Sequence, residues 1–156
     1  MKKVIMALGY IFLVCIVAIV AAAVALAIWG KKLDRESHAY IDSAVPVIAA
    51  EWNVEELKKR ASPEFNDAVD YDILEEDFSS LQEQLGKLAE YKGSTGDSNI
   101  TVSLSGYQIT ADYTAIAEYE EGSVEIRIAL VRRGGQWKIL DFTVSPEAAA
   151  DRKDTI

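Results

Sequence analysis

The sequence predicts an α+β protein: an N-terminal transmembrane helix, then helices packed on a curved four-stranded antiparallel sheet. Three observations predict it. Residues 4 to 29 run without a single charge. Apolar residues then recur at helical spacing as far as Leu88. Beyond Ile100 the pattern switches to alternation, the mark of half-buried strands. The organisation that follows is an anchor over residues 1–32, one α+β domain over 33–146 and a polar tail over 147–156.

The uncharged run is 26 residues long, flanked by Lys2 and Lys3 on one side and Lys31 and Lys32 on the other. As a helix it spans about 39 Å at roughly 1.5 Å per residue. A hydrocarbon core of roughly 30 Å is therefore crossed with some tilt. The alternative is a cleaved signal peptide, with Ala25-Leu26-Ala27 as an A-x-A site. An ordinary signal core is only about 7 to 15 residues, so a retained anchor is expected. Cys15, the only cysteine, lies inside the run behind Val14. It reads as a membrane-facing thiol rather than a lipid attachment point. Lysines and arginines nearly balance across the run, so the positive-inside rule leaves orientation open.

All 25 acids lie beyond the anchor, against twelve bases, so residues 33–156 carry a formal charge near −13. Such a surface is repelled by nucleic acid, and no nucleic-acid partner is expected. About 120 residues suffice for one compact domain and not for two.

The helices come first. Tyr40, Ile41, Ala44, Val45, Ile48, Ala49 and Trp52 fall at helical spacing, with Pro46 expected to kink or restart the helix. Asn53 is placed to cap a short helix with Glu55 and Glu56 in its first turn and Lys58, Lys59 and Arg60 in its last. Ser62-Pro63-Glu64 is a second start signal. The strongest helix follows Asp72, where Leu74, Phe78, Leu81, Leu85 and Leu88 form one stripe. It is expected to end near Tyr91, before a loop at Gly93–Asp97.

Four strands follow. Ile100, Val102 and Leu104 alternate with polar residues. Tyr107, Ile109, Ala111, Tyr113, Ala115, Ala117 and Tyr119 share one face of the second strand. After a turn at Glu121-Gly122, Val124, Ile126, Ile128 and Leu130 share one face of the third. Gly134-Gly135 makes a hairpin turn. In the fourth strand, Gln136 to Val144, the apolar phase shifts from Trp137 and Ile139 to Leu140, Phe142 and Val144. A bulge near Ile139 to Asp141 explains the shift. Helices followed by a meander form an α+β layer, and the Leu74–Leu88 stripe is the natural cover for the sheet.

Several segments carry a resemblance: Ala44-Val45-Pro46, Glu51-Trp52-Asn53, Arg60-Ala61-Ser62-Pro63-Glu64 and Gly135-Gln136-Trp137-Lys138-Ile139-Leu140-Asp141-Phe142. They resemble uncharacterised secreted or membrane-anchored bacterial proteins with a nuclear transport factor 2-like or cystatin-like domain. The resemblance covers about residues 38 to 146. It implies a bacterial source and an extracytoplasmic domain, hence a single-pass protein of the inner membrane with its soluble part in the periplasm. It brings no catalytic residues.

Folds of that kind sometimes hold a pocket between sheet and helix. Tyr107, Tyr113 and Asp141 are the pocket candidates here, with Tyr119 as a further wall and Asp112 as the second acid–base candidate beside Asp141. An acid–base pair needs a tuned partner within reach, and the single histidine, His38, sits just past the membrane segment. Residues 61 to 86 hold eight acids, and Asp70, Asp72 and Glu75 are oxygen donors that suit calcium. The glycine-turned calcium loop is absent, so no metal or other cofactor is expected. Asp70, Asp72, Glu75 and Glu76 read instead as a solvated acidic face at a helix start, the candidate docking surface for a protein partner. Two functions follow. One is a non-catalytic, membrane-tethered interaction module. The other is a small-ligand binder, or an enzyme, working on the sheet's concave face.

Overall fold

The computed structural model describes residues 2–103 and 106–146. The chain divides into two compact units, Met1–Arg35 and Glu36–Ile156. One helix, α1 (Lys2–Glu51), contributes to both. In the first unit it is long and apolar enough to cross a membrane. Its side chains from Phe12 to Trp29 are exposed all round, Leu13, Val17, Ile19 and Leu26 among them. In water that surface is strongly unfavourable; in lipid it is the required one.

In the second unit the same helix carries a stripe. Ser37, Ile41, Ala44, Val45, Ile48 and Ala49 are buried while Ala39, Asp42, Val47 and Ala50 face out. Of the two expectations for Pro46, a kink or a restart, the restart does not occur: Pro46 sits inside a continuous α1. A mid-helix proline costs about 3 kcal/mol or more. The stripe on either side of it must stay in one helical phase to stay buried. Ile41, Val45 and Ile48 alone contribute about 1.5–3 kcal/mol each on burial, which outweighs the proline. The helix ends at Trp52, whose φ of 48° is left-handed. The Asn53 N–H then closes the end on the Ile48 carbonyl at 2.9 Å, the Schellman pattern usually built on glycine. Trp52 tolerates that backbone because its ring is buried, stacked on Tyr119 at 5.5 Å and tilted against Phe78 at 5.3 Å.

Three helices follow; the first two carry the expected caps, and the third is capped by Asp70 rather than starting after Asp72. In α2 (Val54–Arg60) the Asn53 side chain accepts from the Glu56 N–H. In α3 (Pro63–Ala68) the Ser62 hydroxyl accepts from the Phe65 N–H. Helix α4 (Tyr71–Leu85) starts at Asp70, whose carboxylate accepts from the N–H groups of Asp72 and Ile73. It stops at Gly86, with φ 73°, and not near Tyr91. Leu88 is therefore not on the helical stripe. It opens strand β1 (Leu88–Ser103).

The sheet is an open antiparallel meander in the order β1-β2-β3-β4, completed by β2 (Gly106–Tyr119), β3 (Gly122–Arg133) and β4 (Gln136–Pro146). Strand β1 is longer than its pattern implied. The expected loop Gly93–Asp97 is part of it, paired with β2 through Ser94↔Ala115 and Asp97↔Asp112. Its glycines serve the pairing. Gly93, at φ 92°, lies in the register shift between Tyr91 and Ser94. A Cβ on Gly96 would collide with the Asp112 carbonyl oxygen. Leu104 lies outside the described residues, as does the tail 147–156. The β2–β3 turn falls on Glu120-Glu121, one residue earlier than expected. Gly134 and Gly135, at φ 57° and 80°, make the two-residue β3–β4 turn. The bulge in β4 is present: Ala129 pairs with Asp141 and Leu130 with Ile139, leaving Leu140 extra.

The cover of the sheet differs from expectation. Residues 37–52 of α1, and not α4, close its apolar face. Ile109 through Tyr119 at odd positions, with Val124, Ile126, Ile128, Leu130, Trp137, Ile139 and Phe142, form the core with the α1 stripe. From α4 only Phe78 is buried, wedged beside Trp52 and Phe142. Leu74, Leu81 and Leu85 remain half-buried. The α1 stripe buries Ile41, Ala44, Val45, Ile48, Ala49 and Trp52, where α4 buries only Phe78.

Candidate functional surfaces

Among the described residues, large side chains occupy the space between sheet and helix. Tyr113 and Tyr119, two of the proposed pocket walls, are core residues. The Tyr113 hydroxyl bonds to the buried Ser37 hydroxyl at 2.8 Å, and its ring meets the His38 imidazole at 5.5 Å. Tyr119 donates to the Ala49 carbonyl at 2.8 Å. Burial pushes its phenol well above the usual tyrosine range. The indole N–H groups of Trp52 and Trp137 are buried without a partner among the described residues, at a cost of about 1–3 kcal/mol for each orphaned donor.

The candidate pocket residues are not brought together. Tyr113 points into the core, whereas Asp141 is exposed on the outer face of the sheet. Tyr107, six positions before Tyr113, is 69% exposed. Asp112 and Asp141 do share the outer face, flanking Ala129 across β2, β3 and β4. Two strand spacings separate them, about 9–10 Å at roughly 4.8 Å each. That is too far to share a proton, though it leaves room for a polar ligand between them. Thr95, Thr114 and Arg127 complete a depression of about 440 Å³ there.

The acidic face stands on α4. Asp72, Glu75 and Glu76 are exposed and lie on one side of the helix. Asp70 is exposed too, but its carboxylate is already engaged as the helix cap. Among the described residues no group of three His, Cys, Asp or Glu side chains is placed to hold a metal ion.

Two clusters escaped the pattern of the sequence. In one, Asp42 pairs with His38 at 3.2 Å and accepts from the Tyr91 hydroxyl at 3.0 Å and the Ser94 hydroxyl at 2.8 Å. Desolvation, with Asp42 beside it, holds the Tyr91 phenol far above its ordinary pKa. This cluster pins the β1 bulge to α1. Only the i, i+4 spacing of His38 and Asp42 was legible in advance. In the other, bases gather around the β3–β4 turn and the end of α2. Arg132 pairs with Glu36 at 3.2 Å and lies over the Trp137 ring at 5.9 Å. Arg133 pairs with Glu64 at 2.5 Å. Lys59 and Arg60 both donate to Glu56, drawing its carboxyl down to about 2. With Tyr40, Trp137 and Lys138 they border a depression of about 570 Å³.

The chain matches no known protein family, no curated protein and no solved structure.

Proposed function

We propose that the protein is a single-pass membrane protein whose folded domain docks a protein partner and carries out no chemistry of its own. The tether is the apolar part of α1. By the resemblance described above, the membrane is a bacterial inner membrane and the domain is periplasmic. The observation that carries the reading is the filled inner face. Where a related fold would place a ligand, this chain places Trp52, Tyr113 and Tyr119 with both tyrosine hydroxyls satisfied. What remains for recognition is the outside, and Asp72, Glu75 and Glu76 offer a solvated acidic face on a helix.

Charges of this kind steer association and set specificity more than they add affinity. The test replaces Asp72, Glu75 and Glu76 by lysine and Asp70 by asparagine, which keeps a capping side chain. Partners crosslinked in native membranes should be lost from this variant. They should also weaken in wild type at high salt, where the Debye length falls to about 3 Å at 1 M. A second reading rests on the outer depression: a small polar ligand held between Asp112, Arg127 and Asp141. If Asp112→Asn with Asp141→Asn abolished the cellular phenotype in a folded protein, and the lysine set did nothing, the docking reading would give way to it.

A further inference from the structure

The β1–β2 hairpin reaches past the rest of the sheet. Strand β2 pairs with β3 only from Thr110↔Val131 onward, whereas its pairing with β1 continues out to Ser103↔Gly106. Among the described residues, Tyr107 to Ile109 therefore have β1 on one side and no strand of the sheet on the other. This arm is apolar and exposed: Val102 is 79% exposed, Tyr107 69% and Ile100 36%. It is also uncharged. From Ser98 to Ala111 there is no Asp, Glu, Lys or Arg, in a chain that carries 41 of them. Exposed apolar side chains clustered on one projection mark an interaction site.

The arm has a direction. Tyr119 lies against Ala49 and Trp52, and Tyr113 against Ser37 and His38. Strand β2 thus runs alongside the helix, and the part before Tyr113 projects past Ser37. That is the end at which the chain enters the domain from the apolar segment. Six residues, Gly30 to Arg35, separate Trp29 from Glu36. Even fully extended they span at most about 25 Å, at roughly 3.6 Å per residue. The arm from Tyr113 to Gly106 is itself about 24 Å long at roughly 3.4 Å per residue. Chain length alone keeps it within reach of the bilayer surface.

Charge is distributed to match. The β3–β4 turn lies at the same end of the sheet and brings Lys138 beside Arg132 and Arg133, which pair with Glu36 and Glu64. Lys138 has no ion pair among the described residues. The opposite end, at the β2–β3 turn, carries Glu118, Glu120 and Glu121. We infer that the β1–β2 arm is a second membrane contact, resting Ile100, Val102 and Tyr107 in the headgroup region while the β3–β4 bases face anionic lipid. The inference rests on the tether reading above. The unpaired edge of β2 limits the depth: backbone groups without partners are not tolerated in hydrocarbon. Tyrosine is at home at the interface itself.

The test uses the full-length protein with Cys15→Ser, reconstituted in vesicles of phosphatidylcholine and phosphatidylglycerol. A bimane probe is placed singly by Val102→Cys, Glu121→Cys or Val17→Cys. The Val102 probe should be blue-shifted, quenched several-fold more by a headgroup nitroxide lipid than the Glu121 probe, and several-fold less by aqueous iodide. The quenching by lipid should fall in vesicles of phosphatidylcholine alone. Equal quenching of the Val102 and Glu121 probes by iodide, with Val17 still quenched by lipid, would leave the tether standing and overturn the arm. A Val102 probe shielded from both quenchers would also overturn it, in favour of a protein covering. Failure of the Val17 probe to meet lipid would overturn tether and arm together.

Discussion

Helix α1 is one helix with two hydrophobic patterns. From Val4 to Trp29 it is apolar on every side; from Ser37 to Trp52 it is apolar on one. From Phe12 to Trp29 the first pattern is exposed, whereas the second is buried against the inner face of the sheet. The comparison teaches that the distribution of apolar residues around a helix, more than their number, states which solvent it was built for. Pro46 sharpens the point. It interrupts hydrogen bonding but not the stripe, and the stripe decides the structure.

The largest effect that tests the contrast is expected in the sheet beneath the striped half. Trp137→Ala should destabilise the domain by about 3–5 kcal/mol, measured by denaturant unfolding. Trp137→Phe should cost much less, because it also removes an orphaned indole N–H. A loss well under 1 kcal/mol for the alanine variant would place Trp137 outside the core. Next comes a neighbouring pair on α1. Ile48 is fully buried and Val47 is 46% exposed. Ile48→Ala should cost about 2–5 kcal/mol, whereas Val47→Ala should stay within about 0.5 kcal/mol. Equal losses would dissolve the stripe.

Those elements were legible because their signals are local. Asn53 and Ser62 cap helices through residues three positions away, and alternation alone placed the buried faces of β2 and β3. What was not legible is long-range. Gly93–Asp97 has a loop's composition and is held as strand by β2, some twenty residues on. Leu88 fits the α4 period, yet Gly86 ends that helix first. The choice between α1 and α4 as the sheet's cover depends on three-dimensional fit and not on either stripe taken singly. Among the candidate site residues, Tyr107, Tyr113 and Asp141 do not share a surface. Strand pleating sends Tyr113 inward, and the bulge at Leu140 turns Asp141 outward. Asp42 meets Tyr91 across 49 positions of chain, beyond any spacing rule.

The smallest effect is electrostatic. Glu56 is held at about 2 against an ordinary 4.5, first by hydrogen bonds from Lys59 and Arg60. A depressed carboxyl contributes stability that is complete above the unfolded value and is lost as pH falls through the folded one. The contribution should therefore fade between pH 4.5 and about 2, and salt should screen it. Titration of the Glu56 side-chain carboxyl by NMR checks this. A midpoint at its ordinary value would remove the pair from the account of α2.

The central claim is that the uncharged helix stays on the protein and holds it in a membrane. The direct measurement is N-terminal sequencing of the mature protein recovered from carbonate-washed membranes. The account predicts that it stays in the pellet with the segment before Val4 intact. Soluble protein beginning at Ile28, the product of cleavage after Ala27, would contradict it.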